Sequence, residues 1–273
     1  MDSIRIWHQS VNELDHIDVY RRTLAAHAAA VMDKDAEVVV HGLPPGSYRG
    51  HSASSVLGNA YVYHRVLDRV IENAIDAERA GFDAFVIGSF SEPLLREIRS
   101  AIDIPVASLT ESALLVGCSL GKLLAPISNA PSVLWMVKTA VEKHGLGARV
   151  LPVQAIDPPL DEPALAAAYA NPASVVEAFT SAAKRAIALG ADVIIPAEGV
   201  LAELLYAQGI RAIAEAPVLD VFGTTWAYAA MLVRLWSRTG LRVGRSWHYQ
   251  RDNLALIEQL HQAYARHNAG EDA

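Results

Sequence analysis

The chain has 273 residues, enough for one large or two modest domains, and 52% of them are hydrophobic, which is typical of a well-filled α/β protein. The formal charge of −7, with no lysine or arginine cluster, argues against nucleic acid or an anionic membrane as partner and favours a small-molecule substrate. A single cysteine, Cys118, excludes an intrachain disulfide and a multi-cysteine zinc site. No basic segment precedes an apolar stretch at the N-terminus, and no apolar run is long enough to cross a bilayer. We therefore expect a cytoplasmic protein.

The hydrophobic pattern predicts alternating strands and helices. Strands are predicted to end at His8 and at His41, and further strands are predicted over 84–87, 105–108, 122–128, 148–153 and 193–195. Helices are predicted over about 14–33, 58–80, 93–101, 110–119, 131–145, 172–189, 226–239 and 251–268. The Pro- and acid-rich segment 155–163 is interpreted as a mobile surface loop.

One pattern occurs twice in the chain. GFDAFVIGSFSE at 81–92 returns as GADVIIPAEGVL at 190–201, and each copy predicts a buried strand followed by a tight turn into a helix. The repeat predicts an α/β fold of two pseudo-symmetric parallel-sheet halves, Rossmann-like or flavodoxin-like, with the active site in the cleft between them. We expect residues 1–120 plus 226–273 to form a discontinuous first domain and 121–225 to form the second.

The residues that follow the predicted strands are the candidates for chemistry, because ligands of open parallel sheets bind beyond the carboxyl ends of the strands. These residues are His8, His41, Ser89 to Ser91, Ser128 with Asn129, and Glu198 with Gly199.

The same segments resemble the aspartate/glutamate/hydantoin racemase superfamily. GFDAFVIGSFSEP resembles its first signature, GADVIIPAEGVLAEL its second, and PVLD at 217–220 the segment after the second site. The resemblance implies two catalytic cysteines on opposite faces of the substrate. Here Ser89 stands at the first position and Glu198 at the second. A serine hydroxyl stays protonated without an adjacent base, so Ser89 and Glu198 are poorly suited to two-base racemisation.

A one-sided reaction fits these residues better. Glu198 is predicted to act as a general base or metal ligand, with Ser89 as its catalytic partner, while Ser91, Ser128, Asn129 and Gly199 bind a polar planar ligand. The first hypothesis is a hydrolase or lyase of a small hydantoin-like or thiohydantoin-like cyclic ureide, acting by ring hydrolysis or hydrolytic desulfurisation. That the substrate is a ring of this kind is implied only by the resemblance to the superfamily.

Two other functions stay open. One is a racemase, isomerase or decarboxylase of small carboxylates or hydantoins with altered catalytic residues, and the other is a non-catalytic ligand-binding protein. Structural roles are open as well, since Glu198 would also favour a helix dipole and Ser89 would also cap a helix.

Histidines suggest a metal site. His8, His41 and His51 converging with Glu198 would hold one divalent ion, zinc or manganese, although the same histidines would equally bind a substrate carboxylate or lie at the pocket rim. Loop 42–52 would act as a lid from which Arg49 contacts the ligand, and His248 would contact an anionic group. The apolar stretch 226–236 indicates either a subunit contact in a homo-oligomer or core packing.

Overall fold

The computed structural model describes residues 3–269. In the first half, parallel strands pair in the order β2-β1-β3-β4. The elements of this half are β1 (Ile4–Ser10), α1 (Asp18–Val31), β2 (Ala36–His41), α2 (Ala53–Val56), α3 (Ala60–Leu67), α4 (Arg69–Arg79), β3 (Ala84–Gly88), α5 (Leu95–Ala101), β4 (Val106–Ser108) and α6 (Leu109–Leu120).

The second half repeats the plan with a smaller parallel sheet in the order β6-β5-β7. It contains β5 (Leu124–Ser128), α7 (Leu134–Lys143), β6 (Gln154–Ala155), α8 (Glu162–Ala168), α9 (Ala173–Ala188), β7 (Val193–Pro196), α10 (Gly199–Ala207) and a short antiparallel hairpin of β8 (Ala212–Ile213) and β9 (Ala216–Pro217). The helices α11 (Val221–Thr239) and α12 (Leu254–Ala269) end the described chain.

The repeated strands form the centres of the two halves. Every residue of β3 and of β7 is buried, as expected for parallel strands that are covered on both faces. The predicted fold class is therefore confirmed. Because both strands end in a tight turn before the next helix, they bring Ser89 and Glu198 to the carboxyl edges of the two sheets.

The C-terminal part returns to the first half. Helix α11 packs against β1, β3, β4 and α6, and Arg245 binds the carbonyl of Ile102 and the carboxylate of Asp103. Since Trp226, Ala229 and Ala230 of α11 are buried within this chain, core packing explains their apolar character. The domain boundaries and the homo-oligomer stay predictions.

Two sequence-predicted elements differ in the structure. The helix predicted over 58–80 is two helices, α3 and α4, which meet at Asp68. The strand predicted over 148–153 makes a single bridge from Val150 to Leu124, and pairing continues at β6. Within residues 3–269, no helix is both long enough and apolar enough to span a bilayer.

Segment 155–163 is exposed at 157–159, as its composition predicts, but it is attached to the core on either side. Ile156 is buried, and the backbone N–H of Leu160 donates to the carbonyl of Asn129. Asp161 caps α8 by accepting from the N–H of Ala164, and the next side chain, Glu162, is directed inward. The acidic residues here begin a helix and supply a buried carboxyl group.

Candidate active site

A cavity lies where the carboxyl ends of the two sheets face each other. Its empty volume is about 540 Å³, part of it open to solvent. Six sequence-predicted residues line it together, namely Ser89, Ser91, Ser128, Asn129, Glu198 and Gly199. The lining also includes polar residues that sequence reasoning missed, Asn12, Ser54 and Glu162, and an apolar wall of Val133, Met136 and Val137.

Glu198 is the N-cap of α10. Its Oε1 accepts a hydrogen bond from the N–H of Val200 (3.0 Å) and its Oε2 accepts one from the N–H of Leu201 (2.6 Å). These backbone groups therefore hold the protein's own carboxylate, and they are not a free nest for a ligand. Each carboxylate oxygen has a second lone pair, so capping leaves Glu198 able to accept a proton from the cavity side.

Glu162 reaches the same cavity from the start of α8 and is 8% exposed. Its carboxylate binds Ser54 of α2, accepting from the backbone N–H at 3.0 and 3.1 Å and from the hydroxyl at 2.7 Å. The contact joins the two halves beside the cavity.

The two carboxyl groups perturb each other. Burial, followed by the charge of Glu162, raises the pKa of Glu198 to about 8, although the backbone hydrogen bonds at the start of α10 oppose this change. Burial also raises the pKa of Glu162 against the opposing effect of Ser54. Such a pair releases its protons in two linked steps and not independently.

The serines of the first repeat do not act as helix caps. The Ser89 and Ser91 hydroxyls are 2.9 Å apart and hydrogen-bond each other, whereas α5 begins only after Leu94. Glu198 and Glu162 have no hydrogen bond to Ser89 among the described contacts. Ser89 thus lies at the cavity as a neutral hydrogen-bonding group without a base that would ionise it.

Ser128 and Asn129 form the floor at the end of β5. The Ser128 hydroxyl lies 3.2 Å from the carbonyl of Ala197, and the amide of Asn129 donates to the carbonyl of Leu160 at 2.9 Å. Both residues are fully buried, and their bonds fix the strand end next to Glu198.

Glu92 holds the loop that carries Ser89 and Ser91. Its buried carboxylate accepts from the N–H of Glu111 (2.9 Å), the ring of His144 (2.7 Å) and the ammonium of Lys143 (2.9 Å), and it also binds the Ser108 hydroxyl. Burial alone would raise the pKa of Glu92, but the hydrogen bond from His144 and the charge of Lys143 outweigh it and lower the pKa to about 2. Helix α7 is thereby attached to the first half.

The four predicted metal ligands do not converge. His8 is fully buried and its Nδ1 accepts a hydrogen bond from Trp226, while burial and then the nearby His41 lower its pKa to about 3. The ring of His41 stacks on Trp7 with 3.4 Å between ring centroids, and His51 lines a neighbouring chamber. Among residues 3–269, no three His, Cys, Asp or Glu side chains are grouped to hold a metal.

Two predicted substrate-binding residues lie outside the cavity. Arg49 is exposed on loop 42–52 and does not line the cavity. His248 is exposed in the segment that Arg245 attaches to Ile102 and Asp103, near the amino end of β4, whereas the cavity lies at the carboxyl ends of the strands. The expectation failed for His248 because the C-terminal return reaches the opposite edge of the sheet.

These features place two buried carboxyl groups with raised pKa values in one cavity between two α/β halves, and comparison with known proteins identifies the family. The chain belongs to the Asp/Glu/hydantoin racemase family, whose model matches residues 17–232. A hydantoin racemase of Pseudomonas sp. (strain NS671) is 27% identical over 130 residues, which are 48% of this chain and 49% of that protein. The matched region spans about half the length of this curated relative.

Solved structures show the same fold over most of the chain. The allantoin racemase of Klebsiella pneumoniae has a TM-score of 0.74 at 20% identity, covering 92% of this chain and 94% of that one. The allantoin racemase of Pseudomonas fluorescens has a TM-score of 0.70 at 22% identity, covering 92% and 97%. The family resemblance predicted from the two repeated segments is thus confirmed.

Proposed function

We propose that this protein is a proton-transfer isomerase of a small neutral cyclic ureide, with Glu162 and Glu198 as its acid–base pair. The observation that carries the proposal is the presence of two carboxyl groups in one cavity, both with raised pKa values. A general acid–base pair works best when its pKa values lie near the working pH. Glu162 thereby supplies the second proton-transfer group that Ser89 cannot provide.

The reaction follows from this pair. One carboxylate removes the proton from the ring carbon beside a carbonyl group, and the electron pair of the broken C–H bond moves into the carbonyl to give an enolate. A proton then returns to the same carbon from the carboxylic acid, and return to the other face inverts that carbon. The Ser89 and Ser91 hydroxyls donate hydrogen bonds to the ring or the enolate oxygen.

The charge of the cavity favours a neutral ring. Two glutamates line the cavity and, among the residues that the structure describes, no lysine, arginine or histidine does. An aspartate or glutamate substrate would leave its carboxylates without a cationic partner beside a like charge. The relatives named for hydantoin and allantoin are racemases of neutral rings, and they support an isomerase more than the predicted hydrolase or lyase.

One experiment assigns the reaction. A single enantiomer of 5-isobutylhydantoin is incubated with the protein in D₂O and followed by proton NMR and optical rotation, with a sample lacking protein as control. An isomerase exchanges the C5 proton for deuterium and reduces the rotation while the ring stays intact. Saturable binding without either change would contradict the proposal and favour a non-catalytic ligand-binding protein.

Hydrolysis is the second candidate, and the Ser89–Ser91 hydroxyl pair favours it. Two hydroxyls facing a carboxylate across a cavity suit attack by water on a ring carbonyl or thiocarbonyl, with Glu198 as general base. The same NMR sample distinguishes it, since hydrolysis of 5-isobutylhydantoin produces the open-chain ureido acid without deuterium at C5. A parallel sample of the 2-thiohydantoin tests desulfurisation, which would release hydrogen sulfide.

A further inference from the structure

A second chamber adjoins the cavity on the side of loop 42–52. The two spaces share Asn12, Ala53 and Glu162 as walls, so a molecule bound against Glu162 can extend from one into the other. The second chamber has an empty volume of about 630 Å³, including space open to solvent.

Hydrogen bonds within the chain shape the chamber. The buried carboxylate of Glu13 accepts hydrogen bonds from the N–H of Gly46 (2.9 Å) and of Tyr48 (2.7 Å), and the Tyr48 hydroxyl donates to the carbonyl of Val11 at 2.7 Å. These bonds hold loop 42–52 against the end of β1. The loop therefore forms one wall of the chamber.

The lining has an apolar part and three polar side chains, Asn12, His51 and Ser52, that make no hydrogen bond among the described contacts. Ile17, Tyr48 and Pro163 provide the apolar part. The Glu13 carboxylate is occupied by the loop and by His16, whose Nε2 lies 3.1 Å away. The imidazole of His51 lines the chamber and, in the described part of the chain, makes no side-chain hydrogen bond.

We infer that the second chamber binds a substituent of the ring, a short chain with an apolar stem and a hydrogen-bond-accepting end that meets His51. The inference rests on the proposed function, because it places the ring itself in the cavity of Glu162 and Glu198. The stem packs against Ile17 and Tyr48, and the end of the chain receives the imidazole N–H of His51.

Three hydantoins test the inference: the unsubstituted ring, the 5-isobutyl ring and its isosteric 5-carbamoylmethyl counterpart. Binding is measured by calorimetry for wild type, His51→Ala, Ser52→Phe and Ser55→Phe. Ser52 precedes α2 and lines only the second chamber, whereas the exposed Ser55 of α2 lines neither space and provides the matched control.

Ser52→Phe fills the chamber. The ratio of affinity for the 5-isobutyl ring to affinity for unsubstituted hydantoin should fall at least about tenfold, the loss expected when a few buried methylene groups are displaced, while Ser55→Phe keeps the wild-type ratio. His51→Ala should weaken the carbamoylmethyl compound about fivefold, as for the loss of one hydrogen bond, and leave the isobutyl compound unchanged.

The possible failures are distinguishable. If hydantoin binds wild type but the ratio is the same in Ser52→Phe, the chamber does not hold the substituent and the inference is overturned, whereas the proposed function stands. An equal effect of His51→Ala on both substituted rings would overturn the role of His51. If none of the three rings binds to wild type, the proposed function fails and the inference fails with it. Circular dichroism checks that each variant is folded.

Discussion

Glu162 and Glu198 accept hydrogen bonds from different kinds of group. Glu198 binds the N–H groups of its own helix, whereas Glu162 binds Ser54 from the other half of the molecule. A substitution of Ser54 therefore removes a hydrogen bond from Glu162 only, and it affects Glu198 solely through the charge of Glu162.

Ser54→Ala should shift the acidic limb of the pH–rate profile to higher pH. The Ser54 hydroxyl lowers the pKa of Glu162, so its removal leaves burial less opposed and raises that pKa further. The active carboxylate then forms only at higher pH. Loss of one hydrogen bond to a carboxylate, about 1.5 kcal/mol, corresponds to a shift of about one pH unit. The pH profile of the C5 deuterium-exchange rate measures this shift. Ser55→Ala, which removes an exposed hydroxyl nearby, should leave the acidic limb at its wild-type pH.

Sequence reasoning reached one of these two residues. Glu198 follows a buried apolar strand within a repeat, which is a strong local signal. Glu162 lies in AIDPPLDEP, where the prolines and acids favour an exposed turn. The one available signal was Asp161 followed by Glu162 and Pro163, a typical start of a helix. That the helix points its first glutamate inward depends on packing against Ser54, 108 residues away in sequence.

At the scale of the elements, Glu92 connects three of them. It joins the loop after β3 to the first turn of α6 and to the end of α7, through Glu111, Lys143 and His144. Helix α7 contributes Met136 and Val137 to the cavity wall, so this contact sets the distance between that wall and Ser89.

Glu92→Gln should destabilise the fold by about 3 kcal/mol near neutral pH, because it removes a buried carboxylate that accepts from Glu111, His144 and Lys143. Since the folded-state pKa of Glu92 is lowered to about 2, its contribution is complete above the ordinary carboxyl pKa and is lost as pH falls toward 2. Urea unfolding at several pH values should show that the difference in free energy of unfolding between Glu92→Gln and wild type becomes smaller below about pH 4.5. Glu142→Gln, on the exposed side of the same helix, should cost less than about 0.5 kcal/mol. An equal, pH-independent loss in both variants would contradict this role.

Helix boundaries show where local pattern stops being informative. The apolar positions of 58–80 have helical spacing throughout, yet the chain divides at Asp68 into α3 and α4. Asn59 caps α3 by accepting from two backbone N–H groups, a signal that was readable from the sequence. The break itself carries no proline or glycine, so it depends on how the two helices pack on the sheet.

For the whole molecule, the repeat predicted two α/β halves with a cleft, because each copy encodes the same strand, turn and helix. The expected convergence of the histidines was wrong, since composition does not show which face of a sheet a side chain occupies. His41 ends β2, but β1 continues past the predicted end at His8 to Ser10, and His8 packs against Trp226 whereas His41 stacks on Trp7.

The negative charge of the molecule predicts which substrates bind poorly. A net charge of −7 and two glutamates in the cavity disfavour anions. Neither enantiomer of aspartate or glutamate should inhibit turnover of a neutral hydantoin at millimolar concentration. Competition kinetics at low and moderate salt measure this, and tight competition by either amino acid would contradict the assignment of a neutral ring.

The proton-transfer role of the two glutamates is tested most directly by the C5 deuterium exchange rate of 5-isobutylhydantoin in wild type, Glu198→Gln, Glu162→Gln and Ser89→Ala. If the two carboxyl groups move the proton, each glutamine variant should lose at least about 100-fold in rate, the usual contribution of a general acid or base. Ser89→Ala should lose no more than about tenfold, as for one hydrogen bond to the developing oxyanion. Exchange that survives in both glutamine variants and disappears in Ser89→Ala would contradict the central claim.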